Sequence, residues 1–117
     1  MSLKLQNYIR TYRKRFGLSQ EELSFLLGVK SGSKISRYEK FKQVPTLKTA
    51  LALQAVFGVP IAELFAGIYE QAEKETSKRA RILMRRMQEA ATDQKASRKA
   101  DLLRAIAITP NINKENS

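Results

Sequence analysis

The chain contains neither cysteine nor histidine. Without cysteine there can be no disulfide and no thiolate metal site, and nothing in the composition asks for an oxidising compartment. Without either residue, zinc hydrolysis, Ser-His-Asp chemistry and Cys-His nucleophilic catalysis each lose an obligatory member. Catalysis by carboxylates alone remains open, but the 11 acidic residues fall in capping or charged helical contexts and spacing pairs none of them. The expectation is therefore a protein that is not an enzyme, with no cofactor and no metal. Long apolar runs are also missing. No stretch approaches the roughly 20 apolar residues of a spanning helix, and the segment from Met1 to Gln6 does not resemble a leader, so a soluble, cytoplasmic protein with no membrane partner is expected. Strand signals are scarce too: β-branched residues are scattered and no segment alternates cleanly.

What the chain does have is positive charge. Its 117 residues carry 22 Lys and Arg against 11 Asp and Glu, a net charge of +11, while the apolar fraction of 43% is that of an ordinary globular chain. Such a field attracts polyanions from a distance, which puts nucleic acid or an anionic membrane surface at the head of the partners. From Gly67 onward there are 11 basic and 7 acidic residues, so +4 of the excess lies there and +7 precedes it.

The strong spacings are three and four, and the chain reads as all-α. Leu5, Tyr8, Ile9, Tyr12 and Phe16 share one face of a first helix, closed by Gly17. Ser19 and Glu22 have the spacing of a capping box ahead of a second helix, whose buried face is expected to be Leu23, Leu26 and Leu27 and whose stop is Gly28. A short basic helix begins near Ser31 or Ser33, with Ile35 and Tyr38 inward and Ser33, Lys34 and Arg37 outward. Lys40 to Pro45 reads as a polar connection. Thr46 then caps a fourth helix with Leu47, Ala50, Leu51, Gln54 and Phe57 on one face, and Pro60 opens a fifth carrying Ile61, Leu64 and Phe65. Glu70 to Ala91, without Pro or Gly, suggests a long helix with only a thin apolar stripe. Thr92 or Asp93 could cap a last helix through Leu102, Leu103, Ile106 and Ile108.

Two short helices joined by a tight turn, the second basic and outward-facing, form the geometry that sets a recognition helix in the major groove. Gly17-Leu18-Ser19-Gln20-Glu21-Glu22-Leu23, Leu27-Gly28-Val29, Ile35-Ser36-Arg37-Tyr38-Glu39, Pro45-Thr46-Leu47 and Phe57 to Phe65 together resemble the phage repressor and Cro-like helix-turn-helix family over about residues 5 to 66. The resemblance implies a five-helix DNA-binding bundle that regulates transcription, as a repressor, by reading double-stranded DNA with the helix around residues 32–40. It implies a phosphate contact for Gln20, where the amide, the backbone N–H groups and the helix dipole all favour an anion. It also implies a structural ion pair between Arg13 and Glu39. Ser31, Ser33, Lys34, Ser36 and Arg37 are the base-reading candidates. Arg37 leads them, because a guanidinium can bond bidentately to guanine O6 and N7; a phosphate contact is its alternative. Lys40 and Lys42, with Lys48 beyond, are candidate phosphate contacts, or else solvated charges. The sequence departs from the family in two places: one extra residue between Gly28 and Glu39, and Phe41 where Gly is common.

The expected organisation is a DNA-binding domain over 1–66, a helical extension over 67–109 and a disordered tail over 110–117. Operators are read most often by two-fold dimers. Leu83, Met87, Leu102, Leu103, Ile106 and Ile108 have no place in the five-helix core, so the extension is expected either to make a homodimer or to fold back on its own domain. Arg79, Arg81, Arg85 and Arg86 could bind RNA or anionic lipid, although a lipid-binding helix should have a stronger apolar face. The alternative function is that of an antitoxin-like or co-activator-like protein of the same fold, whose main partner is another protein.

Overall fold

A computed structural model describes residues 4–88 and 94–115. Among them are seven α-helices and no strand: α1 (Ile9–Arg15), α2 (Gln20–Leu27), α3 (Gly32–Glu39), α4 (Leu47–Phe57), α5 (Ile61–Leu64), α6 (Ala66–Gln88) and α7 (Gln94–Glu115). No described helix is long and apolar enough to cross a membrane. The chain divides into two compact units, Met1–Tyr69 and Glu70–Ser117.

In the first unit Ile9, Leu23, Ile35, Tyr38, Leu53, Phe57, Leu64 and Phe65 are drawn from every helix and form one core. The local signals that start and stop these helices are physical ones. Ser19 Oγ accepts from Glu22 N–H at 2.9 Å, and the Glu22 carboxylate accepts from Ser19 N–H at 2.8 Å, so two orphan amides at the start of α2 are satisfied reciprocally. Thr46 Oγ1 accepts from Thr49 N–H to begin α4. Gly58, at φ +70°, supplies the left-handed residue on which α4 stops.

Several expected faces are corrected by packing. α1 begins only at Ile9, and Leu5 precedes it, exposed. The reason is Asn7: its Oδ1 accepts from Ile9 N–H at 3.0 Å, a capping interaction that competes with continuing the helix backwards. On α2, Leu26 is exposed and Ser24 takes the buried place beside Leu23, its hydroxyl satisfied by the Glu21 carbonyl. On α4, Leu47 and Leu51 are exposed, while Leu53 is fully buried with Phe57. That helix is apolar nearly all round, so its periodicity has no sharp maximum and its contacts choose the face.

The first unit continues past residue 66. Gly67 N–H donates to the Leu5 carbonyl at 2.8 Å, and Ile68 packs against the first core. A Cβ at Gly67 would lie 2.4 Å from that carbonyl oxygen, so the close backbone approach requires glycine.

In the second unit α7 folds back on α6. Ala80, Leu103 and Ala107 are its buried centre, with Met84, Met87 and Ile106 packed around them. Ser77, also buried, donates its hydroxyl to the Ala107 carbonyl at 2.9 Å, and Arg81 Nη1 reaches both Ser77 Oγ (2.8 Å) and the same carbonyl (3.2 Å). Small residues at 77, 80 and 107 let the two helices approach closely enough for that bond. Thr92 and Asp93, the expected cap of α7, lie outside the described residues. α7 itself runs through Pro110 to Glu115, where sequence reading expects a disordered tail over 110–117; residues 116 and 117 are outside the described set.

Candidate nucleic-acid interface

The candidate interface is built around α3, a helix whose two faces differ completely. Gly32, Ile35, Tyr38 and Glu39 are buried; Ser33 and Arg37, four residues apart and therefore on one face, are exposed, and Lys34 and Ser36 are half-buried between the two. Lys40 and Lys42 are exposed beyond the C-terminal end, as is Lys48 at the start of α4.

Each end of α3 is fastened. At the C-terminal end, the buried Glu39 carboxylate accepts from Arg13 Nε at 2.6 Å, Arg13 Nη2 at 3.2 Å and Gln20 Nε2 at 3.2 Å. The two-pronged geometry suits a guanidinium. Arg13 also donates from Nη1 to the Leu18 carbonyl at 2.8 Å, so one side chain ties α1, the α1–α2 turn and α3 together. Asn7 Nδ2 donates to the Tyr38 carbonyl at 2.9 Å. The structure thus brings Arg13 and Glu39 into contact, and it adds two partners that sequence reading did not place there, Asn7 and the amide of Gln20. Gln20, the expected phosphate contact, is half-buried with its amide nitrogen turned to Glu39. Burial pushes the Tyr38 phenol above the usual tyrosine range, and a hydrogen bond with Thr49 partly opposes this. At 2% exposure, Tyr38 is a core residue.

The chain leaves α3 through Phe41 at φ +63°, the one left-handed non-glycine among the described residues. Phe41 N–H donates to the Tyr38 carbonyl (3.1 Å) and Lys42 N–H to the Arg37 carbonyl (2.9 Å), the two bonds of a Schellman stop. This is why glycine suits the position. The left-handed backbone costs a β-carbon-bearing residue about 1–2 kcal/mol.

At the N-terminal end α3 starts at Gly32. Ser31 is the N-cap, yet its side chain makes no cap bond; its hydroxyl meets Ser33 Oγ at 2.7 Å. The first amide of α3 goes instead to α2: Gly32 N–H donates to Glu21 Oε1 at 2.9 Å. Glu21 carries no signal of this in the sequence, since it reads as one more acid in the first turn of α2, beside the capping-box Glu22.

The family described as Helix-turn-helix matches residues 9–64. A protein of Methanocaldococcus jannaschii, named an uncharacterized HTH-type transcriptional regulator, is 41% identical over 69 residues. That stretch is 59% of this chain and the whole of the relative, leaving the rest of this chain without a counterpart there. No solved structure matches the chain.

Proposed function

The chain belongs to the XRE-type helix-turn-helix family, and from that premise we propose that it is a sequence-specific double-stranded DNA-binding transcription regulator, acting as a repressor with α3 in the major groove. The observation that carries this reading is the two-sided α3, buried and fastened along one face and exposed along the other at Ser33 and Arg37. A helix held in this way presents its outer side chains in a fixed register. Arg37 reads guanine; Ser33, with Ser31, Lys34 and Ser36 beside it, reads or excludes neighbouring bases. Lys40, Lys42 and the first turn of α2 at Gln20 bind phosphates and position the duplex. The protein works by binding, without catalysis, in the cytoplasm where its DNA is. No feature of the described residues favours a protein as the main partner.

Two variants separate these roles. Arg37→Ala lowers discrimination at one base pair by about 1–3 kcal/mol, while Lys42→Ala weakens binding to all duplexes alike and reduces the salt slope by about 1. Binding isotherms on a site selected from random duplexes, against random DNA at several salt concentrations, measure both. Equal losses on both DNAs for both variants would sink the assignment.

The second unit supplies the dimer surface in this reading. Leu83, Leu102 and Ile108 remain exposed after α7 has folded on α6, and paired copies would span half-sites about 34–36 Å apart. Sedimentation of the full chain should give a dimer mass that falls to a monomer in Leu83→Glu/Leu102→Glu. A monomeric wild type ends the proposal.

A further inference from the structure

The glycines of this chain are not alike. Gly17, Gly28 and Gly58 stand at φ values near +70° with open space around them. Gly32 is helical and hemmed in. A Cβ there would lie 2.6 Å from Glu21 Oε1, 3.1 Å from Glu21 Cδ and 3.2 Å from Gln20 Cβ. Glycine at 32 therefore supplies space, and the space is filled by the carboxylate that accepts the Gly32 N–H.

We infer that Glu21 is a positioning residue for sequence reading: its carboxylate, seated against Gly32, sets the start and pitch of α3 and so decides which base pairs Ser33 and Arg37 meet. The inference rests on the DNA-binding reading given above. Three observations lead to it. The cap residue Ser31 leaves the start of α3 without a side-chain cap of its own, so the bond from α2 is what holds that end. The far end of α3 is held through Glu39 by Arg13 and by Gln20, the residue next to Glu21, so adjacent residues of α2 fix both ends of the reading helix. Finally, a carboxylate on a protein of net charge +11, placed at helix amides that would otherwise welcome a phosphate, works against general affinity for DNA. Its contribution is to register.

A residue that only stabilised the bundle would, when removed, lower the melting temperature and weaken binding to every duplex equally. A positioning residue behaves differently. Glu21→Ala should reduce the ratio of affinities for the selected site and random duplex by about tenfold or more, the scale of one good base contact, while affinity for random duplex holds or rises. Glu21→Gln keeps an acceptor oxygen for Gly32 N–H and should keep the wild-type ratio. Gly32→Ala should melt below wild type, because its Cβ meets Glu21, and the further loss it causes should be smaller in the Glu21→Ala background, because the carboxylate at 2.6 Å is gone and only the Gln20 Cβ at 3.2 Å remains.

The experiment is selection from random duplexes by the full-length wild type, then isotherms for the four variants on the enriched site and on random DNA, with thermal midpoints. A wild-type ratio in Glu21→Ala, or equal losses on both DNAs with a lowered midpoint, overturns the role of Glu21 and leaves the DNA-binding reading standing. If the wild type enriches no site, that reading fails and this one falls with it.

Discussion

The two units of this chain are both helical and both basic, yet they are built on different scales. In the first, five branched aliphatic side chains, Ile9, Leu23, Ile35, Leu53 and Leu64, are completely buried, and aromatic residues close around them. Each contributes about 1.5–3 kcal/mol when fully removed from water. In the second, two of the three buried core residues are alanines and only Leu103 is large; a polar bond from Ser77 to the Ala107 carbonyl does part of the fastening. The first unit can therefore hold its third helix rigidly, whereas the second rests on a thinner core; both leave apolar side chains in water, Phe25 and Leu47 in the first and Leu83, Leu102 and Ile108 in the second.

The contrast can be broken experimentally, beginning with the largest expected effect. Arg13→Met leaves the buried Glu39 carboxylate with Gln20 as its remaining side-chain partner; urea unfolding of the first unit should lose about 3–5 kcal/mol, most of it the cost of an uncompensated charge. Next come truncations in the two cores. Leu23→Ala should cost about 2–5 kcal/mol and reduce DNA binding, while Leu103→Ala should fall near the low end of that range and leave the affinity of a single half-site unchanged. If both substitutions weaken half-site binding alike, the units do not act separately. Ser77→Ala should lower the stability of the second unit by about 0.5–1.5 kcal/mol, since Arg81 still reaches the Ala107 carbonyl; hydrogen exchange along α6 and α7 would register it.

The smallest effect sharpens the comparison by pH. The Ser19 backbone N–H, and then its hydroxyl, hold the Glu22 carboxyl below the usual glutamate range. A folded-state value below the unfolded one means that the contribution is present above the unfolded value and is lost as pH falls through the lowered folded one. Acid titration of the first unit should therefore carry a component that Glu22→Gln removes and Ser19→Ala only reduces, because alanine keeps the backbone N–H; it is detectable as a shallower decline of the melting temperature below neutral pH. An unchanged acid limb in Glu22→Gln would show that the capping box contributes nothing to it.

How far the sequence can be read follows from the range of the forces involved. The capping box at Ser19 and Glu22 and the stops at Gly17, Gly28 and Gly58 are legible because they depend on neighbours a few residues apart. Phe41 is legible through the family resemblance, which marks it as a place where glycine is common. Ile35 and Tyr38 are legible as core because α3 is otherwise polar and leaves no choice of face. Leu26, Leu47 and Leu51 are misread because α2 and α4 offer more apolar residues than their cores accept, and excess apolar surface blurs the period. Asn7 and Glu21 carry no local signal at all. Their partners, Tyr38 and Gly32, are 31 and 11 residues away, and a polar residue's distant partner cannot be inferred from its own neighbourhood.

The sequence alone determined that this protein is all-helical, basic and without the residues most catalytic chemistry needs, and it marked Ser19 to Glu39 as the helix-turn-helix, because composition and short-range spacing are properties of the chain itself. Tertiary structure alone decided how the reading helix is held. It turned Gly32 inward against Glu21, drew Gln20 to Glu39 beside Arg13, and folded α7 on α6 through Ser77 and Ala107. Those outcomes depend on which surfaces meet when separate helices pack, and a pattern along one helix contains only half of each such contact.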